Sequence, residues 1–168
     1  AAILTDFGLN SLLIRDISRN RKNAGKYLSN AALVKIFLGL ATVLLAYIAL
    51  ELMGYDHESK LVAYIMLAFA ILQTFTELYS SIFRAFERMH YDAFIKILRM
   101  VILSAMAFYS LKSGVSLIAA SALFPITELI VLMAAIFLAY TKFVKISFGF
   151  DLNFSKNLLR ESSFFCLS

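Results

Sequence analysis

The chain lacks tryptophan and has one cysteine, Cys166, one proline, Pro125, and two histidines among its 168 residues. A single cysteine excludes an internal disulfide. The histidines, His57 and His90, are far apart, and no zinc spacing, catalytic triad or Gly-rich phosphate loop occurs. Charge is also scarce, at 16% of residues, where a soluble domain carries about 25%. What fills the chain instead is apolar: 61% of residues, with a mean hydropathy of +0.81. These residues fall in four long runs separated by short charged segments, the pattern of transmembrane helices. A soluble protein can bury one such helix, but not four with charges only at their ends. The sequence therefore predicts an all-α, polytopic transmembrane bundle.

The chain opens Ala1-Ala2-Ile3-Leu4 without an initiator Met and closes Phe164-Phe165-Cys166-Leu167-Ser168 within another apolar segment. Both ends read as cuts from a longer protein, and no signal-peptide pattern is visible. After Thr5-Asp6-Phe7-Gly8, which suits a bend and a cap, residues 9–19 are amphipathic. Leu9, Leu12, Leu13 and Ile17 share one face; Arg15 and Arg19 lie on the other. Residues 20–26 read as a basic loop. Spans are expected at 31–53, 61–83, 93–111 and 115–140, the first about 34 Å long at 1.5 Å per residue. Residues 84–92 read as a helix at the membrane surface. The third span is free of charge only from Met100 to Leu111, so it crosses if Lys96 and Arg99 snorkel to the interface. A loop at 141–157 precedes a new segment at 158–168.

Basic residues set the expected orientation. Arg15, Arg19, Arg21, Lys22, Lys26, Arg84, Arg88, Lys96, Arg99, Lys142, Lys145, Lys156 and Arg160 fall on one side. Only Lys60 and Lys112 fall on the other, and Lys35 lies inside the first span. The basic stretches 15–26, 84–99 and 142–160 are therefore expected to face the cytoplasm, with the net charge of +5 reporting topology rather than nucleic-acid binding.

Glu128 is the sharpest candidate for function: a carboxylate in mid-span, three residues after Pro125. At that depth a carboxylate faces a bundle interior or an aqueous cavity, and the proline opens the helical hydrogen-bond ladder beside it. This suits ion coupling; a protonated Glu bonded to a neighbouring helix is the structural alternative. Gln73, Glu77 and Ser80 form a polar stripe that either lines a cavity or bonds between helices. Arg15 with Arg19, and Arg84 with Arg88, are i,i+4 pairs whose guanidinium forks suit phosphate groups; binding of anionic lipid is the plainer role. Asp56-His57-Glu58 is the one cluster a membrane-embedded glycosyl- or acyltransferase could use, and no metal or cofactor is expected.

Thr5-Asp6-Phe7-Gly8-Leu9 followed by Leu12 to Arg19 resembles the end of the second transmembrane helix of Wzx-type polysaccharide flippases. Gly25-Lys26-Tyr27-Leu28-Ser29-Asn30 is similar to the entry of their third helix, residues 83–91 to their loop between helices four and five, and Leu158-Leu159-Arg160-Glu161-Ser162 to the entry of helix seven. There the family continues with proline where this chain has Ser163. The resemblance implies the multidrug/oligosaccharidyl-lipid/polysaccharide flippase superfamily, a MATE-like transporter of two six-helix lobes. Residues 1–157 would be most of the N-terminal lobe, 158–168 the start of helix seven, and the C-terminal lobe would lie beyond. It further implies a cytoplasmic-membrane, non-enzymatic flippase for an isoprenoid-pyrophosphate-linked oligosaccharide, partnered by lipid and by its own second lobe. A drug/cation antiporter of the same superfamily is the alternative.

Overall fold

The computed structural model describes residues 9–114 and 116–143. The chain forms α1 (Leu9–Arg19), a short 3-10 turn (Arg21–Asn23), α2 (Ala24–Leu52), α3 (His57–Ala85), α4 (Met89–Ser113) and α5 (Leu117–Lys142). The described residues contain no strand. Helices α2 to α5 are each long and apolar enough to cross a membrane, as the four apolar runs predict. The amphipathic reading of α1 also holds: Leu12, Leu13 and Ile17 are buried, while Arg15 and Arg19 are exposed.

The helices run past the expected spans. α2 begins at Ala24, so Gly25 and Lys26, read as loop, are helical. In place of the surface helix expected over residues 84–92, α3 runs to Ala85, residues 86–88 make a tight turn, and α4 starts at Met89. The Phe86 amide donates to the Ile82 carbonyl, that of Glu87 to Arg84, and that of Arg88 to Phe83 at 2.8 Å. This is the 6→1 and 5→2 pattern that closes a helix through a left-handed residue. That residue is Glu87, at φ 60°, where glycine is usual. The turns at the opposite end of the bundle use glycine instead: Gly54 at φ 63° and Gly114 at φ 59°. Their partner helices start with side-chain caps. Asp56 accepts from the Ser59 amide at 3.3 Å and Ser116 from the Ala119 amide at 3.4 Å.

Helix α3 is central and packs on all the others, most extensively on α5. The reason lies in the facing residues. On α5, Val131, Ala135 and Ala139 are fully buried and fall on one face at helical spacing. The two alanines let the backbones approach closely, as small residues do between membrane helices. Leu78, Ile82, Phe83 and Ala85 of α3 complete this core, joined by Leu13 and Ile17 of α1, Leu28 and Ala31 of α2 and Ile95 of α4. An aromatic cluster closes the same end: Phe143 stacks with Phe83, Phe86 and Tyr91 at centroid distances of 5.6, 5.4 and 5.3 Å.

The exterior is apolar. Phe37, Leu40, Leu44 and Leu52 of α2, Ile97, Met100 and Phe108 of α4, and Met133 and Phe137 of α5 are all exposed. Conversely, Asn30, Lys35, Thr76, Ser80, Ser81, Thr127 and Glu128 are buried. Polar inside and apolar outside is the arrangement a hydrocarbon solvent selects, because unsatisfied polar groups are costly there.

Candidate functional site

Three helices bring six charged side chains into one ladder. On α4, Asp92, Lys96 and Arg99 recur at i, i+4 and i+7, and Asp92, Ile95, Arg99 and Ile102 trace the side turned toward the bundle. On α3, Glu77 and Arg84 lie two turns apart. On α5, Glu128 faces inward. At the basic end, Arg84 bonds Asp92 at 3.1 Å through Nε and 3.3 Å through an outer nitrogen. Lys96 also reaches Asp92, at 3.0 Å. Arg84 then links inward to Glu77 at 3.0 Å, and Arg99 stands 3.8 Å from the other Glu77 oxygen. Arg99 finally donates to Glu128 Oε1 at 2.8 Å. Three carboxylates and three cations balance.

The ladder runs from one end of the bundle to its middle. Asp92 is within one turn of the start of α4. Glu128 lies about 16 Å from the first residue of α5 and about 21 Å from its last, at 1.5 Å per residue. Its side chain is 0% exposed, against 12% for Arg99 and 51% for Lys96. Arg99 therefore does not snorkel, as the sequence suggests. It sits on the packing face of α4, one turn after Ile95, and a carboxylate within reach replaces the water it would otherwise seek. Lys96, on the exposed face, turns back to Asp92 one turn earlier.

The innermost pair is half made. Glu128 Oε2 and Arg99 Nε are buried without a hydrogen-bond partner, although a guanidinium and a carboxylate can pair through two parallel bonds. Pro125 lies about one turn before Glu128; α5 runs through it as one helix, with the Thr127 hydroxyl bonding the Leu123 carbonyl at 2.8 Å.

The other candidate residues fall elsewhere. Gln73 is half-buried one turn before Glu77. Of the expected stripe Gln73, Glu77 and Ser80, Glu77 joins the ladder and Ser80 is buried, while the neighbouring hydroxyls bond to their own helix: Thr74 to the Ile71 carbonyl, Thr76 to Leu72 and Ser81 to Leu78. Lys35, inside α2, is 1% exposed and donates to the Thr74 carbonyl at 2.8 Å, tying α2 to α3. Arg15 and Arg19 lie on the exposed face of α1, with Arg15 2.9 Å from Asp16. Arg88 is exposed at the start of α4, so Arg84 and Arg88 point to different surroundings despite their spacing. Glu51 pairs with Lys60 at 3.1 Å across the turn between α2 and α3. Among the described residues, no group of three or more His, Cys, Asp or Glu side chains could hold a metal ion. Lys142 ends α5, and Lys145, Lys156 and Arg160 lie outside the described residues, as do residues 1–8 and the expected start of helix seven.

Sequence reading missed Arg99 as the partner of Glu128, and missed Asp92 altogether. The signal for Asp92 was present in its i, i+4, i+7 spacing with Lys96 and Arg99. The Arg99–Glu128 pairing, across 29 residues, had no local signal.

Over residues 1–168 the chain matches the family described as "Polysaccharide biosynthesis protein". No curated protein and no solved structure matches it.

Proposed function

The chain belongs to that family, the family of Wzx-type flippases, and from this premise we propose that it is part of a transporter moving an isoprenoid-pyrophosphate-linked oligosaccharide across the cytoplasmic membrane. The pyrophosphate and sugars lose their water in hydrocarbon and cannot cross unaided. Two lobes rocking about a polar pathway carry the head while the lipid tail stays in the bilayer. The described helices belong to the first lobe, with their basic ends cytoplasmic. Glu128 is the coupling carboxylate, and Gln73 and Glu77 adjoin the pathway. Arg84 and Arg88, with Arg15 and Arg19, meet the anionic head at the cytoplasmic entrance.

The observation that supports this reading is a fully buried Glu128 at bilayer depth, paired with a largely buried Arg99 and continuous through Glu77 and Arg84 with the interface. Charges at that depth are costly and mark transport pathways. The test is glycan export in cells whose only flippase is the full-length protein. Glu128→Gln is expected to abolish export at normal protein levels, and Arg15→Ala to reduce it. Wild-type export by either variant removes that residue from the mechanism. Competition by cationic drugs, with no glycan export, would instead favour the antiporter reading.

A further inference from the structure

We infer that Arg99 is a phosphoryl-binding residue held in reserve, and that Glu128 occupies its fork in place of the ligand's anionic group. The inference rests on the proposed transport reading for the ligand's biological identity, not for the site itself.

Two independent features carry it. The first is the incomplete pairing. Arg99 has five N–H donors; one bonds Glu128, Nε is buried without a partner, and Glu77 stands at 3.8 Å, beyond hydrogen-bond reach. Glu128 leaves its second oxygen unpartnered in a fully buried position. A pair serving only to hold α4 to α5 gains by closing both bonds. A phosphoryl group brings three acceptor oxygens to the same donors, and its larger charge competes against a single carboxylate.

The second feature is what lies beside the pair. One turn outward of Arg99 and Glu128, at Leu103 and Phe124, begins an apolar cavity of about 230 Å³ between α4 and α5. Met106, Ala107, Ala120 and Leu123 line it further. Cationic donors one helical turn from an apolar cleft match an amphiphile with a phosphoryl head and a hydrocarbon tail.

The surrounding charges set the exchange. α3 contributes Glu77 and Arg84, α4 contributes Asp92 and Lys96, α5 contributes Glu128, and Lys35 of α2 is bonded to the Thr74 carbonyl. Within the ladder, Arg84 and Lys96 are engaged by Glu77 and Asp92. Displacing Glu128 therefore frees Arg99 alone.

The experiment uses the full-length protein in phosphatidylcholine nanodiscs, with inorganic pyrophosphate and farnesyl diphosphate as probes. Glu128→Gln is expected to raise pyrophosphate affinity at least tenfold, and the Arg99→Ala/Glu128→Gln double variant to abolish the gain. Equal affinity in wild type and Glu128→Gln overturns the inference. In the wild type, where folding is not at issue, phenylglyoxal modification of Arg99 is followed by mass spectrometry. Slowing at least threefold by farnesyl diphosphate alone assigns the site to a lipid-borne head. Slowing by both probes assigns it to the phosphoryl group whatever carries it. Slowing by neither, or only on adding phosphatidylglycerol, overturns it. Normal Arg99 protection without glycan export would sink the transport reading and leave this site standing.

Discussion

Arg99 of α4 donates to Glu128 of α5 at 2.8 Å, with the acceptor wholly shielded and no second bond between them. Removing one partner of such a pair strands the other as a buried charge, at a typical cost of about 3–5 kcal/mol, while replacing both by apolar groups is often neutral. Arg99→Met and Glu128→Leu should each lower the melting temperature of the purified protein in detergent. The double variant should recover most of the loss. A double variant as unstable as the sum of the singles would show that the two side chains do not act as a pair.

Arg84 and Arg88 differ sharply despite their i,i+4 spacing. Arg84 joins Glu77 to Asp92, whereas Arg88 is exposed. Arg84→Ala leaves the buried Asp92 and the partly buried Glu77 short of a partner, for a loss of about 1–2 kcal/mol once solvent screening is allowed for. Arg88→Ala should leave stability within about 0.5 kcal/mol of wild type. Thermal unfolding of the two single variants, side by side, checks the contrast.

Four apolar runs, the amphipathic first helix and the burial of Glu128 were all legible, because each depends on local composition and period. The helix ends were less so. Gly25, Lys26 and Asp92 are polar enough to read as loop or surface, yet the backbone stays helical because packing on α3 rewards it. The ladder was legible in parts only. Glu77 and Glu128 stood out as carboxylates in apolar runs, but their partners were fixed by how α3, α4 and α5 meet. The same spacing that suggested Arg84 and Arg88 as one phosphate clamp is broken by the turn at Glu87, which sends the two side chains apart.

Asp56 caps α3 from an exposed position, and its hydrogen bond to Ser59 holds the carboxyl below its ordinary value of 3.8. A carboxyl depressed by folding stabilises the folded form above its unfolded value, and the benefit fades as pH falls through the lower folded value. Amide exchange in the first turn of α3 should therefore be protected at neutral pH and lose protection selectively in acid below 3.8. In Asp56→Ala this pH dependence should vanish. Its persistence in the variant would assign the effect to another group.

The orientation has its own test in the turns. Ser113 lies at the end of α4, beside a turn expected to face outward, and Arg88 in the basic turn between α3 and α4. In a Cys166→Ser background, Ser113→Cys should react with a membrane-impermeant maleimide added to intact cells. Arg88→Cys should react only after the cells are opened. The reverse pattern would invert the topology and, with it, the direction in which the charge ladder descends.

Glu87 is the residue most open to improvement. Its φ of 60° puts an L side chain in the left-handed region, which costs roughly 1–2 kcal/mol. The compensating contact is slight: Arg21 stands 3.5 Å away from a carboxylate that is 82% exposed, and exposed pairs contribute about 0–1 kcal/mol. Glycine adopts this conformation freely but gives up more chain entropy on folding, about 0.5–1 kcal/mol. Glu87→Gly should therefore stabilise the protein by a few tenths to about 1 kcal/mol, whereas Glu87→Val, branched at Cβ, should destabilise it. Melting temperatures of the two variants decide the matter. A loss of stability in Glu87→Gly would mean that the Arg21 contact, and the cation–π approach of Arg21 to the Phe86 ring at 5.5 Å that accompanies it, holds the turn more firmly than its exposure implies.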